Sequence, residues 1–358
     1  MPMQHVDWNE LAEHIQTWAR ELGFSAAGMT DVDLTRHGEY LKDWLAADFH
    51  GDMEYMKRHD SLRWHPEDLH PGTVSIVSVR IDYLEHEPQA TELLDQEGTA
   101  YVSRYALGRD YHKVIRGKLK KLVARISDYC LDQGIEDFQA RVFTDSAPLL
   151  EKAIAEKAGL GWIGKNTLLI NEKAGSWFFL GEVLTNLPLP SAQEQARNRC
   201  GSCSACIDIC PTDAIVEPYR LDARKCISYL TIEQRGMIPE EYRKPMGNRV
   251  FGCDDCQLVC PWNRYAGHNQ ESDFKPRHGL EDADLLELFG WSEATFLKNT
   301  EGSAIRRTGY EGWLRNLAVA LGNMKTSSQL VSLLRSRLGY SDLVDEHIKW
   351  ALKQHRGS

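Results

Sequence analysis

Eight of the nine cysteines lie between residues 200 and 260, and only Cys130 stands apart. The first four form the pattern CxxCxxCxxxCP, which is the run by which bacterial ferredoxins bind a 4Fe-4S cluster. A second run, CxxCxxxCP, begins at Cys253 and is one cysteine short, and Cys226 lies between the two runs. Eight thiolates suffice for two clusters with four ligands each.

The two runs are expected to exchange ligands, because in two-cluster ferredoxins the fourth cysteine of a run binds the other cluster. We therefore predict that Cys260 completes the first cluster and that Cys210 belongs to the second. The predicted ligands are Cys200, Cys203, Cys206 and Cys260 for one cluster, and Cys210, Cys226, Cys253 and Cys256 for the other.

Other metal chemistry fits this spacing less well. Four thiolates also suit tetrahedral zinc, but zinc ribbons use two separated CxxC pairs, whereas each run here ends in a proline, Pro211 or Pro261. A radical S-adenosylmethionine site needs CxxxCxxC, and Asp213 stands where its third cysteine would be. Since such clusters transfer single electrons, the chain is either an electron carrier or a reductase with its own electron supply.

Two further motifs allow more than one interpretation. The segment GLGWIG, residues 159–164, matches the dinucleotide pattern GxGxxG, but a helix is predicted before it and an extended segment after it, the reverse of what that function needs. We interpret its glycines as a helix C-cap followed by backbone that a ligand can approach closely. Asp145 follows a predicted strand, residues 141–144, and fits either an N-cap or, at the C-terminal end of a strand, a catalytic acid.

The elements that position these residues divide the chain into three parts. Strands and helices alternate before the prolines of residues 186–191, the cysteine segment is rich in loops, and helical periodicity dominates from residue 285 onward. We predict an α+β multidomain protein. Its parts are an α/β domain over residues 1–190, a ferredoxin-like domain over 191–270, and an all-helical domain over 271–358.

Length and composition describe a water-soluble chain of 358 residues, with 42% hydrophobic residues and no apolar run long enough to span a membrane. We expect a cytoplasmic protein. The net charge of -10 argues against general nucleic-acid binding, yet residues 302–340 contain six basic residues against one acid, Glu311. These could bind phosphate or simply be solvated: Arg306, Arg307, Arg315, Lys325, Arg335 and Arg337.

The cysteine runs, together with DSAPLLEKAIAEKAGLGWIGKNTLLI (residues 145–170) and KCISYLTIEQRGMIP (residues 225–239), closely resemble the epoxyqueuosine reductase family. The resemblance covers nearly the whole chain, and its motifs are specific in combination. Members of this family are cobalamin-dependent iron-sulfur enzymes, related to reductive dehalogenases. They reduce the epoxide of epoxyqueuosine, at the wobble position of tRNA, to queuosine.

The resemblance implies a cobalamin-binding first domain, two 4Fe-4S clusters and a HEAT-like last domain that helps hold tRNA. It implies that Asp145 is the proton donor and contacts cobalamin, with a pKa raised by burial over the corrin. We also expect an external low-potential electron donor and a monomer. The further cobalamin contacts that it implies are Arg63, Ser103, Lys165, Asn166 and Ser228.

Most histidines are expected at the surface. Residues 110–112 begin DxHxxG, the motif of proteins whose histidine binds cobalt, but Ile115 replaces its glycine, so no such ligand is predicted. Two other classes of function stay open. A dehalogenase-like enzyme for a small organohalide would not need the basic helices, and a ferredoxin-type adapter would need neither a corrin site nor Asp145.

The cluster assignment predicts about eight irons per chain. Replacing Cys226 by Ser should deplete one cluster, whereas Cys130→Ser should leave the iron content unchanged. Iron analysis of protein purified without oxygen measures both. Full iron content in Cys226→Ser would contradict the ligand assignment.

Overall fold

The computed structural model describes residues 6–59, 61–85, 90–194, 196–269 and 271–356. The first five and last two residues, which belong to the predicted first and third domains, lie outside the described residues. Within the described ranges, no helix is both long and apolar enough to cross a membrane.

The α-helices confirm the helix predicted before residues 159–164 and the helical segments predicted after residue 285. They are α1 (Trp8–Glu21), α2 (Thr35–Ala46), α3 (Tyr55–Arg58), α4 (Pro66–Leu69), α5 (Ala90–Asp95), α6 (Tyr111–Asp132), α7 (Glu151–Lys157), α8 (Ala205–Asp208), α9 (Ile227–Ile232), α10 (Glu240–Arg243), α11 (Asp255–Leu258), α12 (Leu285–Gly290), α13 (Glu293–Asn299), α14 (Gly309–Gly322), α15 (Ser328–Ser336) and α16 (Asp342–Gln354).

The strands of the described residues include one at the segment 141–144, where the sequence predicts a strand. They are β1 (Ala26–Thr30), β2 (Ser75–Asp82), β3 (Tyr101–Val102), β4 (Ala140–Phe143), β5 (Trp162–Ile163), β6 (Leu169–Ile170), β7 (Phe178–Thr185), β8 (Ile215–Glu217), β9 (Arg220–Leu221) and β10 (Arg249–Phe251).

The main sheet has the strand order β1-β2-β7-β4, and each neighbouring pair is antiparallel. The expectation of an α/β sheet is therefore wrong for these strands. Alternation along the sequence shows only that helices separate strands; it does not fix the direction in which a strand returns to the sheet. The α+β class describes the observed arrangement.

Helices cover both faces of this sheet. Val77 and Val79 of β2 pack with α1 and α6, whereas Ile76 of the same strand packs with α2 and α7. This division follows from the two-residue period of a strand, which sends alternate side chains to opposite faces. α1 begins where Asp7 accepts hydrogen bonds from two amides of its first turn.

A separate core joins the last helices to the cysteine segment. It contains residues of the ranges 100–107, 223–251 and 280–352, and β3 pairs with β10 in a parallel arrangement. The three ranges belong to three different predicted domains. The last helices and the cysteine segment therefore share one hydrophobic core.

Arg315 of α14 forms the central polar contact of that core. It is 1% exposed, and its guanidinium donates hydrogen bonds to the carbonyl oxygens of Leu230, Gln234 and Gly236. Its neighbour Asn316 donates to two further carbonyls of the cysteine segment. The expectation that Arg315 could bind phosphate is wrong, because its donors are already used inside the protein.

A carboxyl group lies inside the main sheet. Glu182 of β7 is 0% exposed, stands opposite Ser78 of β2, and faces Glu151 at the start of α7. Burial raises the pKa of Glu182 well above its usual value, and the neighbouring charge of Glu151 raises it further. The fold therefore favours the protonated form of this side chain.

Replacing Glu182 by Gln should raise the melting temperature in alkaline but not in acidic solution. Since the folded pKa is raised, ionisation weakens folding increasingly as the pH rises above the unfolded value near 4.5. Melting curves at about pH 5 and about pH 8 measure the difference. Glu172→Gln, at an exposed position, is the control, and an equal change at both pH values in Glu182→Gln would contradict the account.

Candidate active site and cluster-binding loops

The structure brings the four predicted ligands of the first cluster together. Cys200, Cys203, Cys206 and Cys260 line a cavity of about 230 Å³, beside Trp262. None of the described cysteines forms a disulfide. Within the described ranges, no group of three or more His, Cys, Asp or Glu side chains forms a site for a single metal ion.

The four cysteines predicted to bind the second cluster, here called the inner cysteine group, lie deeper in the protein than the four of the first, the outer cysteine group. Burial raises the pKa of the Cys256 thiol, and the charges of Cys226, Cys206 and Cys210 add to the effect, so these thiols are near one another. The presence of Cys206 among them shows that the two cysteine groups adjoin. A buried thiol becomes a thiolate only beside compensating positive charge, which bound iron supplies. The residue-by-residue ligand assignment stays a prediction.

A second cavity, of about 720 Å³, opens next to the inner cysteine group. Its lining includes Cys226 and Ser228 as well as Asp145 and His112. The remaining lining residues come from all three predicted parts of the chain: Met53, Tyr105, Asp110, Tyr111, Lys113, Leu221, Ala223, Tyr229, Ile232, Glu233, Glu301, Gly302, Ser303, Ala304, Arg306 and Arg307.

Asp145 stands just after β4 with its side chain about half exposed (51%) to this cavity. Its backbone is in the left-handed region, φ 54°, and its amide donates to the carboxylate of Glu151. Its Oδ2 accepts a hydrogen bond of 2.5 Å from the hydroxyl of Tyr111 and lies 3.1 Å from Nε2 of His112. The carboxylate is thus directed into the cavity by three neighbouring elements of the fold, β4, α6 and α7.

The N-cap interpretation of Asp145 is wrong. α7 begins at Glu151 rather than at Pro148, its cap residue is Leu150, and no side chain caps it. Residues 145–150 form an irregular loop instead, so the aspartate is free to face the cavity.

The expected raised pKa of Asp145 is wrong as well. Burial raises the pKa of Asp145, but hydrogen bonds from His112 and Tyr111 and the charge of His112 together lower it below the usual 3.8. Arg307 across the cavity acts in the same direction. The carboxyl group of Asp145 is therefore ionised in the resting protein, where His112 and Tyr111 direct hydrogen-bond donors at it.

Sequence reasoning missed two residues of this site, Tyr111 and His112, and placed most histidines at the surface. His50 is in fact buried, and His112 is 23% exposed and bridges Asp110 and Asp145. A local signal was present: Asp110 caps α6, which places the next two residues at the beginning of a helix beside the strand ends.

The residues implied as cobalamin contacts do not all lie in one place. Ser228 lines the large cavity. Lys165 and Asn166 instead line the smaller, cysteine-bounded cavity, and Lys165 donates to the carbonyls of residues 201 and 203. Ser103 is buried and donates to Asp254, between two of the cysteines. Arg63 is buried and donates to the carbonyls of residues 55 and 56.

The glycines of residues 159–164 do not form a dinucleotide site. Gly159 follows α7 with φ 78°, as the C-cap interpretation predicts, and the next residues pair as the antiparallel hairpin β5–β6. The close approach predicted for a ligand is made by the chain itself. A Cβ at Gly161 would lie 2.4 Å from the carbonyl oxygen of Ile170.

Comparison with known proteins agrees with this arrangement. The family of the 4Fe-4S double cluster binding domain matches residues 199–263, and the family described as "Epoxyqueuosine reductase QueG, DUF1730" matches residues 63–146. Epoxyqueuosine reductase of Pseudomonas aeruginosa is 56% identical over 96% of this chain and 94% of its own. That of Escherichia coli is 53% identical over 98% and 90%.

Solved structures give the same result. A crystal structure of epoxyqueuosine reductase with an epoxyqueuosine-modified tRNA-Tyr stem loop superposes with a TM-score of 0.88, at 27% identity, over 97% of this chain and 91% of that one. A Bacillus subtilis structure, whose catalytic aspartate loop is swung out of the active site, superposes with a TM-score of 0.86 at 28% identity and the same coverage. From the cysteine pattern, the fold and relatives matched over nearly the full length, this chain belongs to the epoxyqueuosine reductase family.

Proposed function

We propose that this chain reduces the epoxide of epoxyqueuosine in tRNA to the cyclopentene of queuosine. The observation that carries the proposal is the large cavity, because it joins a cysteine of the inner cluster group, Cys226, to a positioned carboxylate, Asp145. Relatives at more than half sequence identity carry the name of this activity.

The reaction needs two electrons and two protons, because the epoxide oxygen leaves as water. The outer cysteine group includes the exposed Cys203, whereas Cys226 of the inner group borders the large cavity. We propose that an external low-potential donor supplies electrons at the outer cluster and that they reach the cavity through the inner one. A protein that only transfers electrons would not need an acidic residue, Asp145, at the end of this electron path.

Cobalamin fits the large cavity. Its lining includes apolar groups of Met53, Leu221 and Ile232, which suit a flat macrocycle, and Ser228 offers a hydroxyl. When bound, cobalamin would supply a strongly reduced cobalt able to act on the epoxide carbon. Both ring nitrogens of His112 already face carboxylates, which supports the prediction that no histidine binds cobalt.

Asp145 is the residue that gives a proton to the epoxide oxygen in this proposal, since an alkoxide is a poor leaving group. Tyr111 fixes its orientation by donating to Oδ2 and by stacking on Phe179, with ring centres 4.2 Å apart. A loop of irregular backbone carries the aspartate, which agrees with the swung-out catalytic loop of the Bacillus subtilis relative.

The tRNA is proposed to bind at the mouth of the same cavity. Arg306 and Arg307 line it from the short helical turn before α14, and the aromatic residues Tyr105 and Tyr111 also line it. Enzymes that act on a base commonly extrude it into such a pocket.

We also propose that the chain is a monomer with three domains, at residues 1–190, 191–270 and 271–358. In this proposal α12 to α16 form a HEAT-like domain.

Asp145→Asn should retain both clusters and cobalamin but reduce epoxyqueuosine about 10²- to 10⁴-fold more slowly, the range for a positioned acid. Asn suits the left-handed backbone, so the fold should survive. Single-turnover assays on modified tRNA measure the rate, with Asp43→Asn on the exposed side of α2 as control. Normal turnover in Asp145→Asn would contradict the proposed role.

Arg306→Glu should weaken tRNA binding and reduce the slope of log affinity against log salt by about one unit, as expected for one lost phosphate contact. Arg307 is unsuitable for this test, because it is paired with Glu233 and its charge acts on Asp145. Arg20→Glu on α1 is the control. An unchanged affinity and slope in Arg306→Glu would mean that the RNA is held elsewhere.

A further inference from the structure

His112 occupies an unusual position between two carboxylates. Its Nδ1 lies 2.6 Å from Oδ1 of Asp110, and its Nε2 lies 3.1 Å from Oδ2 of Asp145. A neutral imidazole has a single N–H, so one of its nitrogens would direct a lone pair at a carboxylate oxygen. Only the imidazolium donates a hydrogen bond at both contacts.

The surroundings hold this ring in place. Asp110 caps α6 by accepting the amide of His112, and the imidazole stacks on Tyr111 with ring centres 4.2 Å apart. The ring is 23% exposed, so solvent protons can reach it through the cavity.

The charges facing His112 favour the same state. Burial lowers its pKa, but hydrogen bonds with Asp110 and Asp145 raise it to about 9. The other charged groups around the pair are Glu151, which binds the amide of Asp145, and Arg307, which lowers the pKa of Asp145. The proton shared by His112 and Asp145 therefore resides on the imidazole at neutral pH.

We propose that His112 stores the proton that Asp145 delivers to the substrate oxygen. This inference rests on the proposed function and deepens it, since it names the source of the proton. In each delivery the Nε2–H bond breaks and an O–H bond forms on Oδ2 of Asp145, while the O–H bond of Asp145 breaks as the substrate oxygen gains its proton. The imidazole is left neutral with Nδ1–H toward Asp110, and solvent protonates it again. Two such deliveries give the two protons of the water that leaves.

The neighbouring groups do not replace His112 in this role. Burial and the charge of Asp145 raise the pKa of Tyr111, so its hydroxyl keeps its proton and only donates a hydrogen bond. Glu151 contacts the backbone amide of Asp145 rather than its carboxylate. His112 acts through Asp145 and is a positioning residue that also carries the proton.

The test is the pH dependence of single-turnover epoxide reduction at saturating tRNA. In the wild-type protein the rate should be constant near neutrality and fall above about pH 9, where His112 loses its proton. His112→Gln keeps an amide donor toward Asp145 but holds no transferable proton. We expect it to be about 10²-fold slower at neutral pH, with the falling limb shifted to below neutral pH, where Asp145 itself is the remaining acid.

Asp110→Asn provides a second variant that retains the imidazole. Removing this carboxylate should move the falling limb from about pH 9 toward lower pH, between the wild type and His112→Gln. His14→Gln, at a partly exposed position of α1, is the control with an unchanged profile. Iron and cobalamin content verify that each variant is intact.

A falling limb that stays near pH 9 in both His112→Gln and Asp110→Asn would overturn the inference, whatever the loss of rate. A purely structural role of His112 would slow the reaction without moving the limb. If the wild-type protein itself does not reduce epoxyqueuosine tRNA, the proposed function fails instead, so the two failures are distinguishable.

Discussion

The contacts of one side chain, Asp145, connect the parts of this protein. Its carboxylate is placed by Tyr111 and His112 of α6, its amide by Glu151 of α7, and its backbone by the end of β4. Each of these elements is fixed by packing against the antiparallel sheet. Because the residue has a positive φ and lies in an irregular loop, it depends on these contacts for its orientation. A change in any one of the three elements would therefore alter where the acid points.

The cavity also depends on the other half of the fold. The last helices share a core with the cysteine segment, and Arg315 ties them together by donating to three of its carbonyls. Arg306 and Arg307, a few residues before it, are thereby held in the lining of the cavity that Asp145 also lines. The same packing that supports the inner cysteine group thus places the positive charge proposed to meet tRNA. The proposed electron path, proton path and RNA contact therefore all depend on one shared core and one cavity.

Much of the fold and of the site could be predicted from the sequence, namely the features whose signal is local. The spacing of the cysteines predicts that Cys260 joins the first three, and the structure groups these four around one cavity. Strand direction was not predictable, since it depends on how long connections return to the sheet. The pKa of Asp145 was misjudged for a similar reason: His112 lies 33 residues away in sequence, and only the fold brings it to 3.1 Å. Arg315 looked like a surface cation because a sequence does not show which carbonyls surround it.

The central claim is that this cavity unites cluster electrons with a positioned acid to remove the epoxide oxygen. The most direct measurement is mass spectrometry of the modified nucleoside after the protein, loaded with iron and cobalamin without oxygen, is mixed with a strong reductant and an epoxyqueuosine stem loop. The account predicts a product lighter by one oxygen atom that forms only when both cofactors are present. An unchanged nucleoside with the fully loaded protein, or equal conversion without cobalamin, would contradict it.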